Sequence, residues 1–281
     1  CTLLILLYYG PTVAVLRLTG HESGWGGAFV ILAATYYYFS RRRKKDIVIM
    51  FIILSIGLFC GKAKFFGEYC IALYLFFFCK QKIKISLKLI PGIVLLLIII
   101  VVVIWEKFNL YVVNAARGTG GDSIARVSLY LNSFNVLRDY FPLGSGFGTY
   151  ASYASSKYYS LLYYKYGMDT VYGLEPDPQN GNFVADTYYP SIIGEFGIIG
   201  LFLLIAFWVS VFRIISDNLK ISSNIDDYRL SLFLMSSFLI EGIAGPLMLS
   251  NVGVPFMILL ALVLCRSKLV DTNGKYDHKR N

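Results

Sequence analysis

Long apolar runs separated by short polar segments constrain this chain more than any other feature of its sequence. A helix that crosses a bilayer needs roughly 20 largely apolar residues, and shorter runs serve where charged side chains at the ends reach the interface. The sequence contains eight such runs, at about 1–18, 25–40, 46–61, 65–79, 89–105, 190–215, 230–250 and 252–265. They predict an all-α fold, a polytopic bundle of about eight transmembrane helices, in which the fourth span is short and contains Glu68.

The composition argues against the other classes of protein. Apolar residues make up 57% of the chain and charged residues 15%, whereas about a quarter of the residues in soluble domains are charged. A disordered chain would be poor in apolar residues, and the sequence has neither a heptad pattern nor a Gly-X-Y repeat. The net charge of +9 would suggest nucleic acid on a soluble fold, but in a membrane protein it first indicates orientation.

The basic residues predict which ends of the spans face the cytoplasm. Most of the 26 Lys and Arg residues lie in four segments, at 41–45, 80–88, 213–229 and 266–280. Strict alternation of the spans places all four segments on one side, and the positive-inside rule makes that side the cytoplasm. The predicted domains are spans 1–5 at 1–105, a large periplasmic loop at 106–189, spans 6–8 at 190–265 and a cytoplasmic tail at 266–281.

The loop at 106–189 is predicted to be partly helical. Loops beyond about 15 residues are uncommon without a function or a fold of their own. After the glycines near 118–121, Asp122 or Ser123 can cap a helix, and Pro142 would end it. An apolar stripe at helical spacing runs along this helix, and its members are Ile124, Val127, Leu131, Phe134 and Leu137.

Tyrosines are concentrated in the same loop, which holds more than half of the chain's 22. Tyrosine has an apolar face and a polar tip. Such side chains suit either the membrane interface belt or the stacking surface for a sugar ring, and the sequence leaves both open. The densest group comprises Tyr150, Tyr153, Tyr158, Tyr159, Tyr163, Tyr164 and Tyr166.

Arg126 is a candidate anion-binding residue. It lies off the apolar stripe in the first turns of the loop helix, where its guanidinium and free backbone N–H groups can face one phosphate or pyrophosphate. A solvated surface arginine is the alternative. The glycines of 144–148 permit a tight turn with close backbone approach. This segment lacks both the GxGxxG register and the P-loop lysine, which argues against a nucleotide site.

Three acids are predicted to lie on the outer side near the membrane surface. Asp186 precedes the sixth span, which Pro190 is suited to begin, and Glu195 lies in its first turns. Either acid can complement the helix dipole or, beside a cation, act as a general base toward a sugar hydroxyl. Glu22 lies with Arg17 in the first outer turn, where both are either functional or ordinary interface anchors.

Other kinds of site have weaker support in the sequence. Transporters usually carry ionisable residues in several spans, and the clearest acid inside a span is Glu241, which can equally be satisfied within the bundle. The five cysteines form no CxxC motif, and two histidines are too few for a typical zinc site. We therefore predict neither a metal nor a cofactor.

The order of these motifs resembles a known family. Arg126, the turn PLGSGFG at 142–148 and the segment DTYYPSIIGEFGIIG at 186–200 are similar to the O-antigen ligase and Wzy-type O-antigen or capsule polymerase family. That family has an arginine before an outer-loop helix, then a PLxGxG turn, and then a His-Asn or Asp-Asn pair about nine residues before ExGxxG. The residues TG at 19–20 and SG at 23–24 look like its earlier outer turn, so the resemblance covers about 10–215.

The resemblance implies a glycosyltransferase that acts at the periplasmic face of the bacterial inner membrane on undecaprenyl-pyrophosphate-linked oligosaccharides. Asp186 stands where ligases usually carry His, which is more like the polymerase branch, and Glu22 stands where the first turn normally shows Arg. Family members have more spans than eight. Because residue 1 is Cys, we expect the chain to be the C-terminal portion of a longer polymerase.

Roles for individual residues follow from the same resemblance. Asp186 would be the catalytic base, with Glu22 as a second candidate, and Arg126 would bind the pyrophosphate with Arg17 and Arg117 as weaker helpers. The other expected substrate-binding residues are Tyr150, Tyr189 and Glu195. A ligase that transfers polysaccharide to lipid A core or protein is the alternative enzyme, and a flippase for lipid-linked sugars is the alternative from another class. Expected partners are the lipid-linked substrate, the bilayer, a chain-length regulator and a flippase, with no nucleic acid.

Overall fold

The computed structural model describes residues 22–79, 122–178, 181–222, 224–246 and 253–277. Within these ranges the protein is helical and contains no strand, which confirms the all-α prediction for them. The α-helices are α1 (Glu22–Phe39), α2 (Lys44–Gly57), α3 (Ala63–Leu73), α4 (Asp122–Asp139), α5 (Tyr153–Lys157), α6 (Leu161–Lys165), α7 (Tyr189–Ser222), α8 (Ile225–Glu241) and α9 (Gly253–Asp277). Short 3-10 turns follow α2 (Leu58–Cys60) and α8 (Gly242–Ala244), and a π-helical turn follows α3 (Tyr74–Phe78).

Six of the eight predicted spans fall wholly or largely in the described ranges, and each of them overlaps a helix, although the helix in the predicted span 230–250 ends at Glu241. The predicted spans at 1–18 and 89–105 lie outside the described residues. One described helical stretch, Tyr189–Leu219, is long and apolar enough to cross a bilayer, with a mean hydropathy of 2.5, and Gly253–Arg266 is apolar but shorter. The 14-residue α2 is only about 21 Å long, less than the roughly 30 Å of a hydrocarbon core. The eight-span bundle therefore stays a prediction.

The chain divides into two compact units. Unit 1 comprises 1–82, 208–241 and 247–281, and unit 2 comprises 83–207 and 242–246. The central part of unit 1 is organised around Phe65, which is 1% exposed. Two glycines make room for its ring, because a Cβ atom on Gly57 would lie 2.3 Å from Phe65 Cζ and one on Gly26 would lie 3.0 Å from Phe65 Cδ2. Small residues on α1 and α2 therefore admit one large side chain from α3.

Four of the chain's polar segments meet at one end of unit 1. Arg42, after α1, forms a buried ion pair with Asp227 at the start of α8. Arg229 donates to the carbonyl of Cys79, which follows the π-helical turn, at 2.8 Å. Arg266 of α9 donates to the carbonyl of Tyr38 near the end of α1, also at 2.8 Å. Successive helices of unit 1 thus alternate in direction, and the side of the membrane that each end faces stays a prediction.

Unit 2 has a hydrophobic core of its own. This core consists of Ala125, Leu129, Val136, Tyr150, Ala151, Leu162, Tyr163, Met168, Leu174 and Val184. The residues come from α4, α6 and the irregular segments between and after them. The long loop predicted at 106–189 therefore folds, in its described part, as a packed helical structure.

Candidate functional site

Arg126 and Asp186 form an ion pair in unit 2. Arg126 Nε donates to Asp186 Oδ2 at 3.0 Å, and Arg126 Nη2 donates to the same oxygen. The two side chains are 32% and 29% exposed, so the pair is half-buried and reachable from solvent. The two residues are separated by 60 positions in the chain. The structure therefore brings together the two residues that the sequence assigned to the anion and to the base.

Asp186 lies in a segment whose backbone is fixed on both sides. Its N–H donates to the carbonyl of Phe183 at 3.1 Å, and the N–H of Tyr188 donates to the carbonyl of Gly242 at 3.2 Å. Thr187 between them is buried. A carboxylate held by such a backbone loses less conformational freedom when it binds a partner, so its position beside Arg126 is well defined.

Tyr130 is a third polar residue of the site, and the sequence analysis missed it. It lies one turn after Arg126 on α4, and its hydroxyl donates to the carbonyl of Ile243 at 2.9 Å. Burial, with a smaller contribution from nearby Tyr189, raises the pKa of Tyr130 to about 12. The sequence feature that indicates Tyr130 is its distance of four residues from Arg126, because residues i and i+4 of a helix share a face.

The glycine-rich turn at 142–148 is hydrogen-bonded to a break in α7. Gly197 has φ 61° and ψ −150°, which interrupts the helix. In a continuous helix the Gly194 and Glu195 carbonyls would accept from residues 198 and 199. Instead Ser145 N–H donates to the Gly194 carbonyl at 2.8 Å, and Gly146 N–H donates to the Glu195 carbonyl at 3.0 Å.

The third bond of this contact runs in the opposite direction, from the N–H of Ile198 to the carbonyl of Pro142 at 3.0 Å. The backbone groups that the break releases are therefore satisfied by the turn. The two backbone segments approach so closely that a Cβ atom on Gly144 would lie 2.5 Å from Gly197 N. Gly144 also has φ +79°, a conformation that favours glycine. The close backbone approach predicted for the glycine-rich turn is therefore present at Gly144, whereas no atom lies within 4 Å of a Cβ position on Gly146.

Glu195 and Tyr150 also belong to this contact rather than to an open surface. Glu195 is 3% exposed and Tyr150 is fully buried. Glu195 Oε1 accepts from the N–H of Tyr150 at 3.1 Å, and the Tyr150 hydroxyl donates to the carbonyl of Leu129 at 2.6 Å. The Tyr150 ring lies against Gly194, where a Cβ atom would approach it to 2.5 Å. Neither side chain is exposed enough to contact a substrate. The substrate-binding role expected of these two residues therefore does not agree with their burial.

The tyrosine cluster divides into buried and exposed members. Tyr163 is fully buried, accepts from the N–H of Ala151 at 2.9 Å and lies 2.8 Å from Ser155 Oγ. Burial raises the pKa of Tyr163 to about 12. Tyr153 and Tyr158, by contrast, are 76% and 79% exposed. The sequence suggested that these rings lie either in the membrane interface belt or on a sugar-stacking surface. The buried tyrosines instead belong to the hydrophobic core of unit 2.

The buried face of α4 is not the predicted apolar stripe. Leu131 and Phe134 of that stripe are 64% and 56% exposed. The helix instead buries the face formed by Ala125, Leu129, Ser133 and Val136, on which Ala125 and Ser133 are small. The tyrosine rings of the following segment pack on this face. Small side chains on α4 leave room for these rings. Helix α4 itself begins at Asp122 and ends at Asp139, shortly before Pro142, as predicted.

Of the remaining predicted site residues, Tyr189 is the one whose side chain the structure describes, and it lies near Tyr130. Arg17 and Arg117 lie outside the described residues. Glu22 is the first residue of α1, and its side chain also lies outside them. Tyr189 begins α7 with a half-buried ring, 5.7 Å from the ring of Tyr188. In the part of the chain that the structure describes, no group of three or more His, Cys, Asp and Glu residues is arranged to hold a metal ion.

The site consists of the half-buried ion pair of Arg126 and Asp186, with Tyr130 one turn after Arg126 on α4. Such a pair can bind an anion through the guanidinium and accept a proton at the carboxylate. Comparison of this chain with protein-family models, with curated proteins and with solved structures gives no match.

Proposed function

We propose that this protein is a glycosyltransferase of the bacterial cytoplasmic membrane that polymerises lipid-linked oligosaccharide repeat units at the periplasmic face. It transfers the growing glycan from undecaprenyl pyrophosphate to the next lipid-linked repeat. The observation that carries the proposal is the half-exposed ion pair of Arg126 and Asp186. The order of the surrounding motifs supports it.

A multi-pass position in the membrane agrees with the arrangement of unit 1. Its helices alternate in direction, and Arg42, Arg229 and Arg266 meet at one end, which we take to be the cytoplasmic end. The apolar stretch Tyr189–Leu219 follows Asp186 almost directly. In this orientation α7 enters the membrane from the periplasmic side, and the loop that carries Arg126 lies in the periplasm.

The proposed reaction needs a cation and a base. The acceptor hydroxyl attacks the anomeric carbon of the donor sugar, the bond from that carbon to the pyrophosphate oxygen breaks, and undecaprenyl pyrophosphate leaves with the bonding electrons. Arg126 stabilises the negative charge that develops on the departing pyrophosphate. Asp186 takes the proton of the acceptor hydroxyl.

The geometry of the pair suits this division of roles. The two bonds that Arg126 donates to Asp186 both go to Oδ2, which leaves Oδ1 as the oxygen for the acceptor proton. A pyrophosphate would compete with Asp186 for Arg126, because an arginine fork binds phosphate and carboxylate in the same way. Substrate binding would thereby loosen the pair and make the carboxylate a stronger base at the moment when a donor is present.

Activity of two site variants in cells tests the proposal. Arg126→Ala and Asp186→Asn should each abolish the ladder of long sugar chains, because loss of a general base or of one charge-stabilising donor typically costs about 10²–10⁴-fold in rate. Arg138→Ala is the matched control, since Arg138 lies on the same helix, is 75% exposed and pairs with Asp139. The control should retain the full ladder.

Undiminished long chains in both site variants would contradict the assignment. The product that accumulates also separates the alternatives. Loss of a polymerase leaves single repeats attached to their acceptor, whereas loss of a ligase leaves long chains on the lipid carrier. Loss of a flippase leaves lipid-linked repeats on the cytoplasmic side, where an enzyme added to the outer face cannot trim them.

A further inference from the structure

Unit 1 contains a buried group of charged residues that the proposed reaction does not use. Lys64 and Glu68 lie one turn apart on α3, and Glu241 is the last residue of α8, which packs against α3. Glu68 is fully buried, and the Lys64 and Glu241 side chains are 14% and 7% exposed. The i, i+4 spacing places both α3 side chains on one face. We call these three residues the Lys64 cluster.

The Lys64 cluster has one positive charge for two carboxyl groups, and Glu68 is the carboxyl group without a close ion pair. Lys64 Nζ lies 2.5 Å from Glu241 Oε2, so the ammonium forms its close ion pair with that carboxylate. Within the described ranges, neither carboxylate oxygen of Glu68 has a hydrogen-bond partner. Among the described residues, the charged groups that act on Glu68 are Glu241 and Lys64, and the buried thiol of Cys60 is a further titratable group near it.

An ionised carboxylate in this position is unfavourable. Removing a carboxylate from water without a partner costs many kcal/mol, and such a group binds a proton instead. The neighbouring Glu241 adds repulsion, because two like charges at one buried site cannot both remain ionised without compensation. A proton on Glu68 removes the charge and turns one of its oxygens into a donor that can face the carboxylate of Glu241.

We propose that the Lys64 cluster is a proton-binding site in which Glu68 carries the proton and shares it with Glu241 while Lys64 neutralises the pair. The bound proton comes from water, and no other reactant is needed. Its loss would leave two carboxylates facing each other between α3 and α8, so the packing of these helices depends on it. This inference concerns unit 1 and holds whether or not the protein is a polymerase.

Infrared spectroscopy of the purified full chain tests the site directly, because a protonated carboxylic acid absorbs apart from carboxylates and amides. At neutral pH the protein should show a carboxylic-acid band that is lost in Glu68→Gln. The substitution keeps the volume and the neutral charge, so the variant should fold. Asp139→Asn is the control, since Asp139 bonds Lys165 and Tyr166 at the surface and should leave the band unchanged.

Two further variants test whether the proton is shared. Glu241→Gln releases Lys64 to pair with Glu68, so Glu68 ionises and the band should disappear. Lys64→Met leaves both acids without the ammonium, so a second acid band should appear. Thermal unfolding of each variant verifies folding, and a variant that fails to fold leaves the other two to decide.

The inference is overturned if the Glu68→Gln difference spectrum contains no carboxylic-acid band at neutral pH. A band that persists in Glu241→Gln would also overturn the shared arrangement, because Glu68 would then hold its proton regardless of the partner of Lys64. A wild-type band that sodium ions remove would show that the cluster takes a metal cation in place of the proton, which equally contradicts the proposal.

Discussion

Replacing Gly144 with alanine tests the contact between the glycine-rich turn and the break in α7. The new Cβ atom would lie 2.5 Å from Gly197 N and 2.6 Å from both the carbonyl carbon and the oxygen of Glu195. All three are backbone atoms, which cannot rotate away as a side chain can. Steric strain of this kind costs about 1–3 kcal/mol. The positive φ of +79° adds about 1–2 kcal/mol for a residue with a Cβ atom.

The expected total loss is therefore about 2–5 kcal/mol, a large part of the roughly 5–15 kcal/mol that stabilises a typical domain. Gly167→Ala is the matched control. Gly167 has φ +65°, and no atom lies within 4 Å of the position of its Cβ atom. The control thus carries the cost of the backbone conformation without the steric clash, and the difference between the two variants isolates the contact.

The assay is thermal unfolding of the full chain in detergent, together with limited proteolysis of the loop. Gly144→Ala should lower the unfolding midpoint by on the order of 10 °C and expose the segment around 142–148 to protease. Gly167→Ala should show a distinctly smaller shift and no new cleavage there. Equal midpoints for the two variants would refute the reasoning, because they would mean that the close approach contributes nothing.

Two further predictions concern unit 2. Tyr150→Phe should destabilise the protein by about 0.5–1.5 kcal/mol through loss of its buried bond to the Leu129 carbonyl, whereas Tyr153→Phe at an exposed position should be neutral in the same thermal assay. Hydrogen bonds from Tyr166 and Lys165 hold the pKa of Asp139 below its ordinary value. Their stabilisation is therefore present at neutral pH and is lost as the pH falls below about 4. The difference in midpoint between wild type and Asp139→Asn should shrink over that range, and a constant difference would contradict the assignment.

Features that depend on neighbours along the chain could be predicted from the sequence. The bounds of α4 follow from the residues near Asp122 and from Pro142, and each of the six described apolar runs contains a helix because it is long and rich in apolar residues. The order of motifs led us to expect Arg126 and Asp186 at one site, but the ion pair between them was not predicted, since neither residue type alone specifies a partner 60 positions away.

Features that depend on distant contacts could not be predicted in this way. Leu131 and Phe134 are more apolar than Ala125 and Ser133, yet the latter face is buried because tyrosine rings from a later segment need its small side chains. The break at Gly197 has no proline to mark it, and its backbone groups are satisfied by residues about 50 positions earlier. Hydrophobicity along one helix contains no information on either arrangement.

Under the proposed function, the interruption of α7 would also set the height of Asp186 relative to a membrane-anchored substrate. Residues 189–196 form the part of the helix before the break, and at 1.5 Å per residue they rise at most about 12 Å. A headgroup layer is only about 5–8 Å thick on each side of the hydrocarbon. If the hydrocarbon begins at Ile198, Asp186 stands just above the headgroups, level with the first sugars of a membrane-anchored glycan. The height of this carboxylate would then select the acceptor by how far its hydroxyl stands from the bilayer.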